Sequence, residues 1–284
     1  MHTIDLPQGT LSYRIAGPAK TTGPPVVFVH AFLVDGSVWT RVADHLAARG
    51  VRSYAPDWPL GAHHTPLRPD ADQSPRGVAR QVLAFLEALD LQDVTLVGND
   101  TGGALCQFLL DIDASRIGRL VLTNCDAFDT FPPFPYNVIF RLLRSELRMR
   151  INLQPMRWRA FRHSPLGLGL LANKLDPVQT RAWIEPSLRN KEIRRDAARF
   201  LRAIDPKDLL GVSTRLKNFT GPVRIVWGTA DRAFKPALGQ RLQRAFSNAT
   251  FVEVPGARTF VHLDTPTVLA DHIVALSSAQ PTQD

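Results

Sequence analysis

Short runs of consecutive apolar residues recur along this chain, and most are followed by a segment whose apolar positions fall every three to four residues. Pro25-Val-Val-Phe-Val-His30, Val51-Arg-Ser-Tyr-Ala-Pro-Asp57, Val94-Thr-Leu-Val-Gly98, Arg119-Leu-Val-Leu-Thr-Asn-Cys125, Pro222-Val-Arg-Ile-Val-Trp-Gly228 and Thr250–Val254 read as strands. Such near-continuous apolar runs suit strands buried on both faces of a parallel sheet. Between them, helices are predicted over Val38–Arg49, capped by Ser37 and closed by Gly50, over Ser74–Leu91, over Ala104–Leu110, over Pro236–Phe246 and over Thr267–Leu276. The second carries Val78, Val82, Phe85, Leu86 and Leu89 on one face. Residues 2–16 read as a hairpin turning at Gln8-Gly9.

The alternation stops after Cys125 and resumes at Pro222. Residues 127–216 open with Phe131-Pro-Pro-Phe-Pro135 and continue as Arg-rich helical stretches, Val138–Arg150, Met156–Arg162, Val178–Leu188 and Glu192–Ala203. The pattern predicts an α/β fold with a mostly parallel sheet flanked by helices, built from residues 1–126 and 217–284, and interrupted by a helical cap over 127–216. A frayed tail is expected over Ser277–Asp284, and no internal repeat is found.

Composition narrows the class of protein. A chain of 284 residues with 44% hydrophobic content can bury one sizeable core. The two cysteines, Cys106 and Cys125, sit inside apolar runs and read as buried thiols in a reducing compartment; a bridge between them is the other reading. No signal peptide and no membrane-length apolar run is seen, so a cytoplasmic protein with no membrane partner is expected. The formal charge of +8 comes without a nucleic-acid recognition motif, so no nucleic-acid partner is expected. Arg141, Arg144, Arg148, Arg150, Arg157, Arg159 and Arg162 read as the solvated face of amphipathic helices; attraction of an anionic substrate is the other reading.

The candidate chemistry centres on Gly98-Asn-Asp-Thr-Gly-Gly103, between an apolar strand and a helix. Glycines two residues either side of Asp100 let strand and helix approach closely around a strained turn, which throws the apex side chain outward over a helix N-terminus. A carboxylate at that apex can displace a leaving group from carbon and form an alkyl ester. A glycine-rich turn with Asp100 as helix cap is the plainer alternative.

Taken together these motifs resemble the α/β-hydrolase fold over almost the full length, which implies an eight-stranded, mostly parallel sheet. His30-Ala-Phe32 resembles the family's oxyanion loop, Trp227-Gly-Thr-Ala-Asp231 its acid turn, and Pro255–Pro266 its histidine loop. An apex Asp is similar to the haloalkane dehalogenase and epoxide hydrolase branch. The resemblance implies Asp100 as nucleophile, oxyanion amides from Phe32 and Thr101 with His30 in the same loop, and Asp231 as the acid orienting a base. Asn124 and Asp126 hold a second place where an acid or polar helper can stand. A small-molecule substrate and no cofactor or metal are implied, and a homodimer is left open.

The chain also departs from that pattern. Seven residues before Pro266, where the base usually stands, is Thr259, and His262 lies three positions later as a displaced base or an ordinary residue. His63 and His64, on a loop after a strand, read as loop histidines able to overhang a pocket. Thr101 replaces the dehalogenases' halide-binding Trp, and Tyr136 is the cap's one tyrosine. Two functions are carried forward. One is hydrolysis through an aspartyl ester of a small to medium, largely apolar substrate. The other is a member without the usual histidine that acts as a binding protein, or as a non-hydrolytic lyase or cyclase with Asp100 as general base.

Overall fold

Eight strands form one sheet: β1 (His2–Leu6), β2 (Gly9–Ala16), β3 (Val26–Val29), β4 (Ser53–Pro56), β5 (Val94–Asp100), β6 (Ile117–Cys125), β7 (Val223–Gly228) and β8 (Ala249–Val254). The computed structural model describes residues 1–21 and 23–278. The expected frayed tail lies outside them from position 279 onward, whereas Ser277 belongs to the last helix, Pro266–Ser278.

The strand order is β1-β2-β4-β3-β5-β6-β7-β8. Only the β1–β2 and β2–β4 pairs are antiparallel; every other pair is parallel. All four residues of β3 are buried, as are the first six of β5, which is why both read as unbroken apolar runs. Helix Thr101–Ile112 packs on helix Pro75–Ala88, and helix Thr40–Ala47 packs on Pro266–Ser278. Cys106 and Cys125 are free, buried thiols.

Some boundaries differ from the sequence reading for local reasons. The helix expected from Val38 starts as a 3-10 turn, Gly36–Trp39, whose cap is Asp35 rather than Ser37: the Asp35 carboxylate accepts the Ser37 N–H at 2.8 Å. The Ser37 hydroxyl instead accepts the Trp183 indole N–H at 3.1 Å. The stretch expected as one helix, Val138–Arg150, is two, Tyr136–Leu142 and Glu146–Asn152. Ser145 breaks it by adopting an extended conformation and capping the second helix through the Arg148 N–H. Helices Pro206–Ser213 and Val261–Asp264 were not anticipated.

Between Cys125 and Val223 the described residues contain helices and one isolated β-bridge, Ala127–Thr130, but no strand. Salt bridges tie this helical stretch together and to the sheet domain: Arg194 to Glu146 within it, and Arg76 to Asp208 and Arg215 to Asp111 across the boundary.

Candidate active site

β5 delivers Asp100 into a sharp turn with φ 54° and ψ −127°, a region non-glycine residues rarely occupy and which costs of order 1–3 kcal/mol. The turn closes because its glycines carry no side chain. A Cβ on Gly102 would collide with the Val29 carbonyl of β3, and one on Gly98 would lie 2.7 Å from the Cys106 sulfur. The Asp100 Oδ1 accepts the Thr101 backbone N–H at 2.6 Å and the Thr101 hydroxyl at 3.0 Å. Oδ2 accepts no hydrogen bond among the described residues, and Asp100 lines a cavity. Burial pushes its pKa up to about 6; the two Thr101 hydrogen bonds oppose that rise and the charge of Asp231 adds to it.

The opposite wall comes from the loop after β3. Phe32 lines the same cavity, and its backbone N–H donates no hydrogen bond among the described residues. Three fixtures hold that loop. Leu33 donates its N–H to the Leu60 carbonyl at 2.9 Å, and Gly36 donates at 2.9 Å to the Asp57 carboxylate, itself paired with Arg14. His30 is the third. Its Nδ1 bonds the Ala31 carbonyl at 2.9 Å and its Nε2 accepts the Trp58 N–H at 2.8 Å. Burial lowers the His30 pKa to about 4, so the ring is neutral and both nitrogens are engaged. The sequence expectation placed His30 among the oxyanion or substrate-binding residues; the imidazole does not line the cavity and instead braces the loop.

Asp231 is held where β7 ends. Its Oδ1 accepts the N–H groups of Ala233 and Phe234 at 2.7 and 3.0 Å, and its Oδ2 accepts the Asn124 amide at 2.8 Å. Asn124, fully buried at the end of β6, also donates to the Gly228 carbonyl at 3.0 Å and accepts the Gly228 N–H at 2.6 Å. It is therefore the side chain that, together with the two backbone N–H groups, fixes the orientation of Asp231. Asp231 itself does not line the cavity, contrary to its expected place on the wall, although its charge is felt at both Asp100 and Tyr136.

The neighbour of Asp231 in the loop after β8 is Thr259. Burial pushes the Asp231 pKa up, and the Phe234 N–H and the buried Thr259 hydroxyl oppose that rise, although the hydroxyl forms no hydrogen bond of normal geometry. Its carbonyl accepts the Asn99 amide at 2.7 Å. His262, expected among the catalytic residues, stands elsewhere. Its ring packs 4.2 Å from Trp39 and 5.1 Å from Phe260, neither nitrogen has a partner, and burial lowers its pKa to about 3. No hydrogen bond joins it to Asp231 or Asp100. The reason is local: residues 261–264 form a helical turn that swings the ring away onto the Gly36–Trp39 turn. This loop is also fastened to the helical stretch. Phe260 donates its N–H to Leu171 at 2.7 Å, Arg258 donates to the carbonyls of Gly169 and Ala172, and Asn173 donates to Asp264 and Gly256.

Of the remaining expected residues, Tyr136 is at the site and Asp126 stands behind it. Tyr136 opens helix Tyr136–Leu142 and lines the cavity; its hydroxyl has no partner. Burial, Asp100 and Asp231 raise its pKa, so it remains a proton donor. Asp126 is fully buried with both carboxyl oxygens unpartnered, and burial together with Asp100 raises its pKa well above the usual carboxylate range. Having no partner, it orients nothing, and it does not line the cavity. His63 is buried 3.5 Å from Asp196 and His64 is exposed; neither overhangs the cavity. Among the described residues no cluster of His, Cys, Asp or Glu is arranged to hold a metal.

The cavity measures about 510 Å³, and apart from Asp100, Tyr136 and Asn152 its walls are apolar, with Ile139, Phe140, Leu143, Met156, Phe161 and Leu168 among them. Sequence reasoning missed Asn152, which carries no motif, and Asn99. The Asn99 amide ties Thr123, Asn124 and Thr259 together at 2.8, 3.2 and 2.7 Å. Its one signal was an amide side chain in the second position of the glycine-flanked turn.

Residues 24–266 match the model of the alpha/beta hydrolase fold family. A 2-hydroxy-6-oxononadienedioate/2-hydroxy-6-oxononatrienedioate hydrolase of Dechloromonas aromatica is 28% identical over 249 residues, 84% of this chain and 80% of its own. A haloalkane dehalogenase of Mesorhizobium japonicum is 37% identical over 102 residues, 36% of this chain. The chain spans 43% and 31% of the length of the first two curated relatives it matches. Among solved structures, haloalkane dehalogenase DbeA from Bradyrhizobium elkani superposes with a TM-score of 0.79 at 17% identity, over 98% of this chain and 99% of that one.

Proposed function

The chain belongs to the alpha/beta hydrolase fold family, and from that premise we propose that Asp100 is a carbon-directed nucleophile acting on small to medium, largely apolar electrophiles. The observation that carries this reading is the division of labour in one carboxylate. Oδ1 is held by the Thr101 N–H and hydroxyl, while Oδ2 is unengaged on a carboxylate that borders an apolar cavity. Oδ2 would attack an sp³ carbon bearing a halide or an epoxide oxygen. The new C–O bond forms as the carbon–halogen or carbon–oxygen bond breaks, and the electron pair leaves with the halide or alkoxide. The unpartnered Tyr136 hydroxyl is suited to donate to that leaving atom. Hydrolysis of the resulting ester needs water to add at the Asp100 carbonyl, where the developing charge would fall on Oδ1 and its two donors.

The second half of the reaction is under-equipped. Thr259 has no basic nitrogen to activate water, and no histidine replaces it beside Asp231. General-base catalysis contributes about 10²–10⁴ in rate, so the ester should form faster than it is cleared. Intact-mass spectrometry after incubation with a reactive haloalkane or epoxide should therefore find a covalent adduct, absent in Asp100→Asn. Attack requires the carboxylate, so adduct formation should rise with pH through about 6. No adduct and no turnover with any electrophile would remove the nucleophile role. A second reading has Asp100 as general base in a non-hydrolytic reaction; its support is that same pKa, about 6 in an apolar cavity. Solvent-deuterium exchange into a bound carbon acid, without an adduct, would favour it.

A further inference from the structure

The helical stretch over the cavity concentrates two features that the chemistry at Asp100 does not use. Among the described residues, eight of the eleven exposed large hydrophobic ones lie between positions 134 and 178. Phe134 is 74% exposed, Leu147 59% and Trp158 67%. Leu142, Ile151 and Leu166 are exposed at 51%, 60% and 68% and also line the cavity, so its mouth opens in the middle of this apolar rim. The same stretch holds nearly all the excess charge of the chain. Residues 130–175 carry seven arginines and one lysine against a single carboxylate, Glu146, which is paired with Arg194, and the whole chain is +8. Arg141, Arg148, Arg150, Arg157 and Arg159 are exposed and form no ion pair among the described residues.

A groove of about 450 Å³ adjoins the rim, lined by Arg157, Arg159, Arg162, Arg181 and Val178, with Glu185 as its one carboxylate. Glu185 is taken by Arg189 at 2.7 Å. Arg162 is 3% exposed and is held by backbone carbonyls and the Thr180 hydroxyl, with no carboxylate partner. Arg181 also pairs with Glu185 at 3.9 Å, so the groove is a cationic recess of headgroup size in which Arg157, Arg159 and Arg162 have no ion-pair partner among the described residues.

We propose that this face docks on an anionic phospholipid surface, the apolar rim entering the headgroup region, arginines facing phosphates, and the cavity receiving its apolar substrate from the lipid. An amphipathic face with aromatic and aliphatic residues among arginines is the composition such surfaces select. A second copy of the chain is a poor occupant, because a two-fold contact would press two cationic faces together. The docking surface requires no helix to cross the membrane, and among the described residues none is long and apolar enough to do so.

The structure supplies its own reporter. Trp158 is exposed while Trp39, Trp58, Trp183 and Trp227 are fully buried, so an emission shift on binding should come from Trp158 and vanish in Trp158→Phe. The full chain should float with vesicles of phosphatidylglycerol and phosphatidylcholine, bind vesicles of phosphatidylcholine alone at least tenfold more weakly, and be released as salt rises from about 10 mM to about 0.5 M. Each cation near an anionic surface is worth about fivefold, so Arg148→Gln/Arg150→Gln should weaken binding roughly twentyfold. Leu147→Glu/Ile151→Glu should abolish it; because the salt series uses the unmodified chain, a misfolded variant cannot mask the result. Asp100→Asn should float like the parent, which separates this outcome from that of the covalent chemistry. Failure to float at low salt, equal affinity for neutral vesicles, or a stable dimer that excludes vesicles would each overturn the proposal.

Discussion

At the end of β5 the chain places a carboxylate on a strained turn, gives one oxygen two donors and turns the group to an apolar cavity. In the loop after β8 it places a hydroxyl where the proposed reaction would want a base. Asp231 is held by Asn124 and two backbone N–H groups, Asn99 fixes the Thr259 carbonyl, and the side chain in that place is a hydroxyl. In the proposed reaction the first loop supplies the carboxylate that would attack carbon, and the second has a hydroxyl where an imidazole would activate water. The two loops thus differ in kind: one presents an ionisable group to the cavity, the other a hydroxyl beside a carboxylate held by three hydrogen bonds.

The largest effect should come from supplying the missing group. Thr259→His would set an imidazole between Asp231 and the Asp100 ester and shorten the life of that ester by about 10²–10⁴, read by time-resolved intact mass. His262→Phe should leave the same lifetime unchanged, since that ring packs on Trp39 and Phe260. An equal effect of both substitutions would break the contrast between the loops.

The next effect attacks the loop that presents the carboxylate. Gly102→Ala drives a methyl into the Val29 carbonyl and should cost about 2–3 kcal/mol, with loss of adduct formation. Chemical denaturation with adduct yield on the folded fraction checks it; a neutral outcome would mean that the turn is not under the constraint its geometry indicates.

The smallest effect concerns the same turn and carries a sign. Asp100 titrates near 6 when folded and near 3.8 otherwise. Above pH 6 both states are ionised and only the folded one bears the cost of burying the charge; below pH 4 both are protonated and the cost is gone. Asp100→Asn should therefore stabilise the fold by about 1–3 kcal/mol at pH 8, with the gain shrinking as pH falls from 6 to 4. A stabilisation independent of pH would show that charge burial is not the cause.

Much of this was legible in the sequence, for physical reasons that also mark the limits. β3 and β5 are enclosed on both faces, and burial of that kind admits few polar residues, so they stand out as apolar runs. Gly98 and Gly102 announce a close approach of backbones that a side chain would prevent. Counting back from Pro266 found Thr259, but the same count could not locate the His262 ring, because a helical turn over 261–264 sets its direction. The role of Asn99 could not be read from its position in the turn, because its three partners come from β6 and from the loop after β8. Likewise Ser145 and Asp35 act through local side-chain caps that compete with the periodic pattern, so both nearby boundaries were misjudged.

The fastening of the loop after β8 to residues 169–173 has a mechanical consequence. Leu168 and Leu171 face the cavity, and the backbone around them is bonded to Phe260, Arg258 and Asp264. A swing of that turn to widen the entrance must either break these bonds or drag Thr259 away from Asp231. Any shift of residues 168–173 is in this way geared to Thr259 and felt at Asp231, the carboxylate that Asn124 holds.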